Sequence, residues 1–180
     1  LVPMDFNGLI PGLTTGNLDV VLAAIFIKSS REKAIDFSHP YFRAGLKVMV
    51  RSENTDIKGP NDLKDKVVAV KTGTATVDYV NTLGAKKIVK FPNIDQAYLE
   101  VVTGGADAAM HDTPNVLYFI KTAGEGKVKA VGADVKAAFY GIGFQQGSAL
   151  RDKVNVALLE MQEDGEYDRI YIKWFDSAPE

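Results

Sequence analysis

The sequence predicts an α/β protein, a largely parallel sheet covered by helices. Three observations carry the prediction. Apolar runs alternate with helical periodicities through the middle of the chain: helix 76–83, strand 87–91, helix 94–102, strand 107–111, helix 113–121 and strand 127–131. Val67-Val68-Ala69-Val70 is a continuous apolar run, the pattern of a parallel strand buried on both faces. Strand ends also feed helix starts at Lys71-Thr72-Gly73-Thr74-Ala75-Thr76-Val77 and at His111-Asp112-Thr113-Pro114-Asn115. Such mouths hold small anionic ligands, because free backbone N–H groups and the positive helix end point there. A third mouth runs from Ala24 to Arg31. The pattern suggests a ligand held between two lobes, not an enzyme built round a nucleophile.

The elements follow in order. Leu1-Val2 reads as the tail of a strand that Pro3 ends. A helix comes next, with Asp5 or Asn7 as cap and Leu9, Ile10 and Leu13 as apolar face; Pro11 fits only near its first turns. A domain seldom begins midway through a strand, so N-terminal sequence is expected to be missing. Residues 5–25 then run helix, Gly16, Asp19 and the strand Val20-Val21-Leu22-Ala23. Residues 93–111 repeat the order: helix, Gly104, Asp107 and the strand Ala108-Ala109-Met110. Each glycine supplies a left-handed helix end, and the repeat reads as one unit used once per lobe. Leu46 to Val50 is a strand, Arg51 to Lys58 a polar loop, Gly59-Pro60 a turn and Asn61 to Lys64 a short helix. Phe139 to Phe144 is a further strand. From Ala149 to Trp174 the pattern is helical, with Val154, Ala157, Leu158 and Met161 on one face and a break at Gly165.

Composition bounds the function. A chain of 180 residues forms one large domain or two small ones. Hydrophobic content of 46% and charged content of 24% are those of a globular protein. A net charge of −2 with scattered basic residues offers no electrostatic reason to expect nucleic acid or an anionic membrane. The absence of cysteine excludes disulfides, a thiolate nucleophile and a Cys-based zinc site. No cofactor and no metal are expected. No apolar run approaches the roughly 20 residues of a membrane span, and the opening residues do not have a signal-peptide pattern.

Several stretches, in order, carry a resemblance. They are Met4-Asp5-Phe6-Asn7-Gly8, Ile10-Pro11, Arg31-Glu32-Lys33-Ala34-Ile35-Asp36-Phe37-Ser38, Val67 to Lys71, Gly73-Thr74 and Phe91 to Asp95. His111 to Asn115, Leu117 to Gly124, Leu150 to Asn155 and Lys173-Trp174-Phe175 complete the set. Over essentially its whole length the chain resembles the glutamine-type periplasmic amino-acid-binding proteins of bacterial ABC importers. The resemblance implies a two-lobed α/β clamshell, the type II periplasmic-binding-protein fold. Lobe 1 would be residues 1–42 and 141–180, lobe 2 residues 43–137, with crossovers near 41–45 and 136–140. Family members begin with a strand and helix that this chain lacks, so lobe 1 would be incomplete, with a second chain as one source of the missing elements. The expected role is non-enzymatic capture of a polar, glutamine-like L-amino acid in the periplasm, for delivery to the membrane subunits of an ABC importer.

The resemblance also implies the site. Arg31 would grip the ligand α-carboxylate, which suits the planar donor fork of a guanidinium. Thr74 and Ala75 would offer hydroxyl and N–H to the same group. Asp112 would take the ammonium, His111 and Lys71 would touch the ligand side chain, and Phe6 would pack on its aliphatic part. Plainer roles stand beside these: a surface arginine, an ordinary capping loop, a helix cap at Asp112, a satisfied strand-end histidine, a snorkelling lysine and a core phenylalanine.

Two departures stand out. The family usually reads Ala-Gly-Ile-Thr where this chain has Ala23-Ala24-Ile25-Phe26. Ala24 adds a methyl at a tight approach, and Phe26 removes a hydroxyl and adds a ring that could fill the cleft. Altered or absent ligand binding in an engineered or truncated fragment is therefore an alternative. A dehydratase-type enzyme on the same fold is a further one, disfavoured because His111 and Asp112, adjacent on a strand, should point to opposite faces.

Overall fold

A computed structural model describes residues 1–175, 178 and 179. In chain order the elements are α1 (Leu9–Thr14), β1 (Val20–Phe26), α2 (Ser29–Glu32), β2 (Asp36–Phe37), β3 (Phe42–Arg51), β4 (Val67–Lys71), α3 (Ala75–Asn81) and β5 (Lys87–Phe91). They continue with α4 (Ile94–Val102), β6 (Ala108–Asp112), α5 (Thr113–Lys121), β7 (Val128–Phe144), α6 (Leu150–Glu163) and α7 (Glu166–Phe175). Short 3-10 turns cover Phe6–Gly8 and Pro60–Leu63. The chain divides into two compact units, one of Leu1–Leu9 with Arg43–Ala138 and one of Ile10–Phe42 with Phe139–Glu180.

In the first unit the strand order is β3-β6-β4-β5. β4 runs parallel to both β5 and β6, as the alternation predicts, but β3 is antiparallel to β6. The expected parallel sheet is thus mixed. An antiparallel neighbour needs no helical crossover, so the helix count alone does not reveal it. Val68, Ala69 and Val70 are fully buried, as is every residue of Ala108 to Met110. Met49, Ala69, Tyr98, Val101, Ala109, Val116 and Phe119 form the core beneath α4 and α5, and the rings of Tyr98 and Phe119 lie 4.6 Å apart. Asn93 caps α4 by accepting the Asp95 N–H. The repeat's Asp107 joins two strands. Its Oδ2 accepts the Val67 N–H at 2.8 Å and so ties the start of β4 to β6.

In the second unit β1 and β2 both pair antiparallel with the end of β7. Aromatic side chains hold this unit together. Tyr140 has the Phe26 ring at 4.9 Å and the Phe42 ring at 5.6 Å, and Phe42 also meets Tyr171 and Phe175. The predicted apolar face of α6, Val154, Ala157, Leu158 and Met161, lines an apolar groove of about 430 Å³ with Leu22, Ile170 and Trp174. No residue of α6 or α7 is buried.

Several expectations change. Leu1 and Val2 are exposed and lie in no strand. Residues 1–9 cluster with 43–138, not with the rest of 1–42, because Phe6 and Asn7 pack on Lys71 and Gly73. The predicted strands 127–131 and 139–144 are the two ends of one strand, β7. The intervening Gly132-Ala133-Asp134-Val135-Lys136-Ala137-Ala138, broken by a glycine and two charges, hides the continuity, with Gly132 at φ 74 and Lys136 at φ 52. β7 and β3 each begin in one unit and end in the other.

The sequence oddity at Ala24 has a structural counterpart. The β1–β7 register shifts between Val21 and Ile25, and Ala24 sits at φ 49, a left-handed conformation that favours glycine. Ala24→Gly should therefore raise the melting temperature, by the equivalent of about 1 kcal/mol. A lower melting temperature for the glycine variant would show that the bulge is unstrained.

Candidate functional site

Six of the nine expected site residues lie in the first unit and three in the second. In the first unit β4 and β6 are parallel neighbours in register, Val68 opposite Ala108 and Ala69 opposite Ala109; the same offset carried forward sets Lys71, the last residue of β4, level with His111, the residue before the end of β6. Past Lys71 the chain turns through Gly73, at φ 76, into Thr74, the N-cap residue of α3. Thr74 is buried, and its hydroxyl donates to the Lys71 carbonyl at 2.8 Å. Ala75 opens α3. On the neighbouring strand Asp112 ends β6 and stands at the N-cap of α5, where its side chain makes no capping hydrogen bond. The plainer role of helix cap is thereby removed from its carboxylate.

Asn7 is a residue whose sequence context suggests only a helix cap. Its Oδ1 lies where a Cβ on Gly73 would be, 1.6 Å from the ideal position. Only glycine allows both this approach and the positive φ. Phe6 receives the Lys71 ammonium over its ring, 5.4 Å from the centroid. No local signal marks either contact, since they join segments some 65 positions apart in the sequence.

His111 is buried, and its Nδ1 has no hydrogen-bond partner. Burial, reinforced by the positive charge of Lys71, pushes its pKa down from 6.5 to about 3, so the imidazole is neutral near pH 7. His111 Nδ1 and Asp112 Oδ1 stand 3.8 Å apart. Asp112, with extended backbone at φ −59 and ψ 131, is both the last residue of β6 and the N-cap residue of α5. The gap still exceeds hydrogen-bond reach. Tyr98, whose hydroxyl donates to Asn115 Oδ1 at 2.8 Å, has its pKa raised by burial and then by the charge on Asp112. It stays a protonated donor.

The depressed His111 pKa makes a pH prediction. The folded state resists protonation between about pH 6.5 and 3, whereas the unfolded chain accepts a proton below 6.5. Stability from this group is complete above pH 6.5 and falls as pH drops through that window, by up to ~1.4 kcal/mol per pH unit. His111→Gln should flatten the acid limb of a denaturation series relative to the unsubstituted protein. Parallel limbs for the two proteins would remove His111 from the acid response.

The second unit carries the remaining three residues. Arg31 lies in α2 and is buried, and its Nη1 donates to the Phe26 carbonyl at 2.8 Å. Phe26 is buried with its ring against Tyr140. Ala24 holds its strained place in β1, and its backbone hydrogen-bonds the Tyr41 hydroxyl, whose pKa burial raises. Among the described residues no three His, Asp or Glu side chains gather as metal ligands, and no helix is long and apolar enough to cross a membrane.

A model of the bacterial extracellular solute-binding proteins, family 3, matches residues 1–177. The chain belongs to this family. It is 33% identical over 174 residues to the ABC transporter glutamine-binding protein GlnH of Bacillus subtilis, covering 94% of this chain and 62% of that protein. It is 31% identical over 177 residues to a probable histidine-binding protein of Neisseria gonorrhoeae, covering 94% and 65%. The solved structure of an ancestral arginine-binding protein bound to glutamine superposes with a TM-score of 0.93 at 41% identity, over 98% of this chain and 79% of that one. This family-3 chain therefore has the mixed α/β fold of the type II periplasmic binding proteins. It spans slightly under two thirds of the length of these two curated relatives. The likenesses give no support to a second chain that supplies N-terminal elements.

Proposed function

We propose that the chain is the greater part of an extracytoplasmic amino-acid-binding protein that serves an ABC importer, and that its ligand is a polar, uncharged L-amino acid of the glutamine kind. In this reading Arg31, Thr74 and the Ala75 N–H take the α-carboxylate, Asp112 the α-ammonium, and Lys71 and His111 the side chain, with Phe6 and Ala24 at its edge. The observation that carries it is the pairing of two strand-to-helix junctions on parallel neighbours, β4–α3 and β6–α5, each ending in a buried polar residue, Thr74 and Asp112. A buried carboxylate at such a junction has the sign that attracts an ammonium.

Lys71, whose charge already depresses His111, argues against a cationic ligand side chain. A cationic ligand side chain would meet that ammonium, whereas an amide can accept from it. The relatives bind chemically different amino acids; the local charge argues against arginine, and the choice of glutamine rests on the likeness to the glutamine-binding protein. Binding without turnover is the supported activity, since neutral His111 and Asp112 form no hydrogen-bonded acid–base pair. A second reading, a chain that binds no amino acid as it stands, is favoured by strained Ala24 and by Phe26 in place of a hydroxyl. Calorimetric titration of the chain with glutamine, histidine, arginine and glutamate separates the readings. Glutamine should bind most tightly, tightest binding of arginine would overturn the specificity, and heat from none of the four would favour the second reading.

A further inference from the structure

Asp134 lies outside the candidate site, yet it joins three elements of the first unit. Its Oδ2 accepts the Thr113 hydroxyl at 2.8 Å, and its Oδ1 pairs with Lys47 Nζ at 2.5 Å. Lys47 Nζ also donates to the Gly132 carbonyl at 2.9 Å. Asp134 stands directly over Gly45, where an added Cβ would lie 2.9 Å from the aspartate Cβ. One carboxylate thus ties β7 to β3 and to the first residue of α5. The tie matters because Thr113 follows Asp112, whose own side chain does not cap α5. Within β3, Lys47 pairs opposite His111 and Leu46 opposite Asp112.

An exposed Lys–Asp pair alone contributes little. The Thr113 bond is different in kind: a neutral hydroxyl donates to an ionised acceptor, the stronger class of hydrogen bond. Lys47 is also held close, its side chain 15% exposed against 44% for Asp134. Gly45 is the permissive feature, since any side chain there would displace the aspartate.

We propose that Asp134 is a positioning residue which, through Thr113, fixes the first turn of α5 and thereby the place of Asp112. The consequence for binding rests on the amino-acid reading above; the positioning itself does not.

Hydrogen exchange of the ligand-free 180-residue chain tests the positioning. The readout is the Val116 and Leu117 amides, whose helical acceptors are the carbonyls of Asp112 and Thr113 in the first turn of α5. Thr113→Val and Asp134→Ala should each speed exchange there by about tenfold. Thr113→Ser, which keeps the hydroxyl, should leave it unchanged, and the double variant should be no faster than either single one. Unchanged exchange in Thr113→Val overturns the proposal. So does an equal rise throughout α4 and β6, which marks general destabilisation. Glutamine titration of the same proteins tests the consequence, with affinity falling about tenfold in both disruptive variants and holding in Thr113→Ser. Faster exchange with unaltered affinity would sever the tie to Asp112. If the unsubstituted chain binds no amino acid, the functional reading falls, and the exchange data still decide what Asp134 does.

Discussion

Arg31→Ala should abolish measurable amino-acid binding and also lower the melting temperature. The residue has two roles. In the proposed site its guanidinium offers a planar pair of donors to a carboxylate, and losing such a charge-assisted contact costs about 100-fold or more in affinity. In the fold it is buried and donates to the Phe26 carbonyl. Alanine leaves that acceptor without this donor, at a cost of about 1–3 kcal/mol. A surface arginine, the plainer sequence reading, would carry no such stability term. Arg31→Lys separates the roles, since lysine keeps the charge but not the fork. It should retain more of the stability than of the affinity. Calorimetric titration beside thermal melts measures both, and unaltered glutamine binding by Arg31→Ala would remove the arginine from the site.

Phe26→Thr should destabilise the protein by about 2–4 kcal/mol. From sequence alone the change looks like a repair, because it restores a hydroxyl that the family usually has. The packing argues otherwise. Phe26 is 5% exposed, pairs with Tyr140 in the β1–β7 ladder, and places its ring 4.9 Å from that tyrosine's. Threonine would leave a cavity in the aromatic cluster and remove an aromatic pair worth roughly 1 kcal/mol. Any gain in affinity from the returned hydroxyl has to be read above that loss. Phe26→Leu, which keeps apolar volume without a hydroxyl, isolates the packing part. A melting temperature unchanged in Phe26→Thr would show that the ring contributes nothing to the second unit.

The two junction loops illustrate what local pattern can and cannot reveal. Apolar runs, glycine stops and cap residues located β4, α4, β6 and α5 to within a residue or two, because each such signal depends on near neighbours in the chain. Gly16 and Gly104, both at positive φ, end their helices as the repeat requires. The places of Asp112 and Thr74 at strand-to-helix junctions were likewise legible, since a polar residue between an apolar strand and a helix start marks such a junction. The 17-residue β7 was not, because its middle carries small residues, two charges and two left-handed positions while its two ends look like separate strands.

Sequence was thus sufficient for the α/β class, the position of the strand-to-helix mouths and the family to which the chain belongs. These rest on periodicity and on short ordered motifs. Tertiary structure alone decided that Asn7 fills the space over Gly73, that Phe26 packs on Tyr140, that His111 is held neutral beside Lys71, and that Asp134 bridges Lys47 and Thr113. Each of these depends on side chains from distant segments meeting in a low-dielectric or sterically closed space. Burial, excluded volume and the sum of nearby charges are properties of that meeting, and no single stretch of the chain carries them.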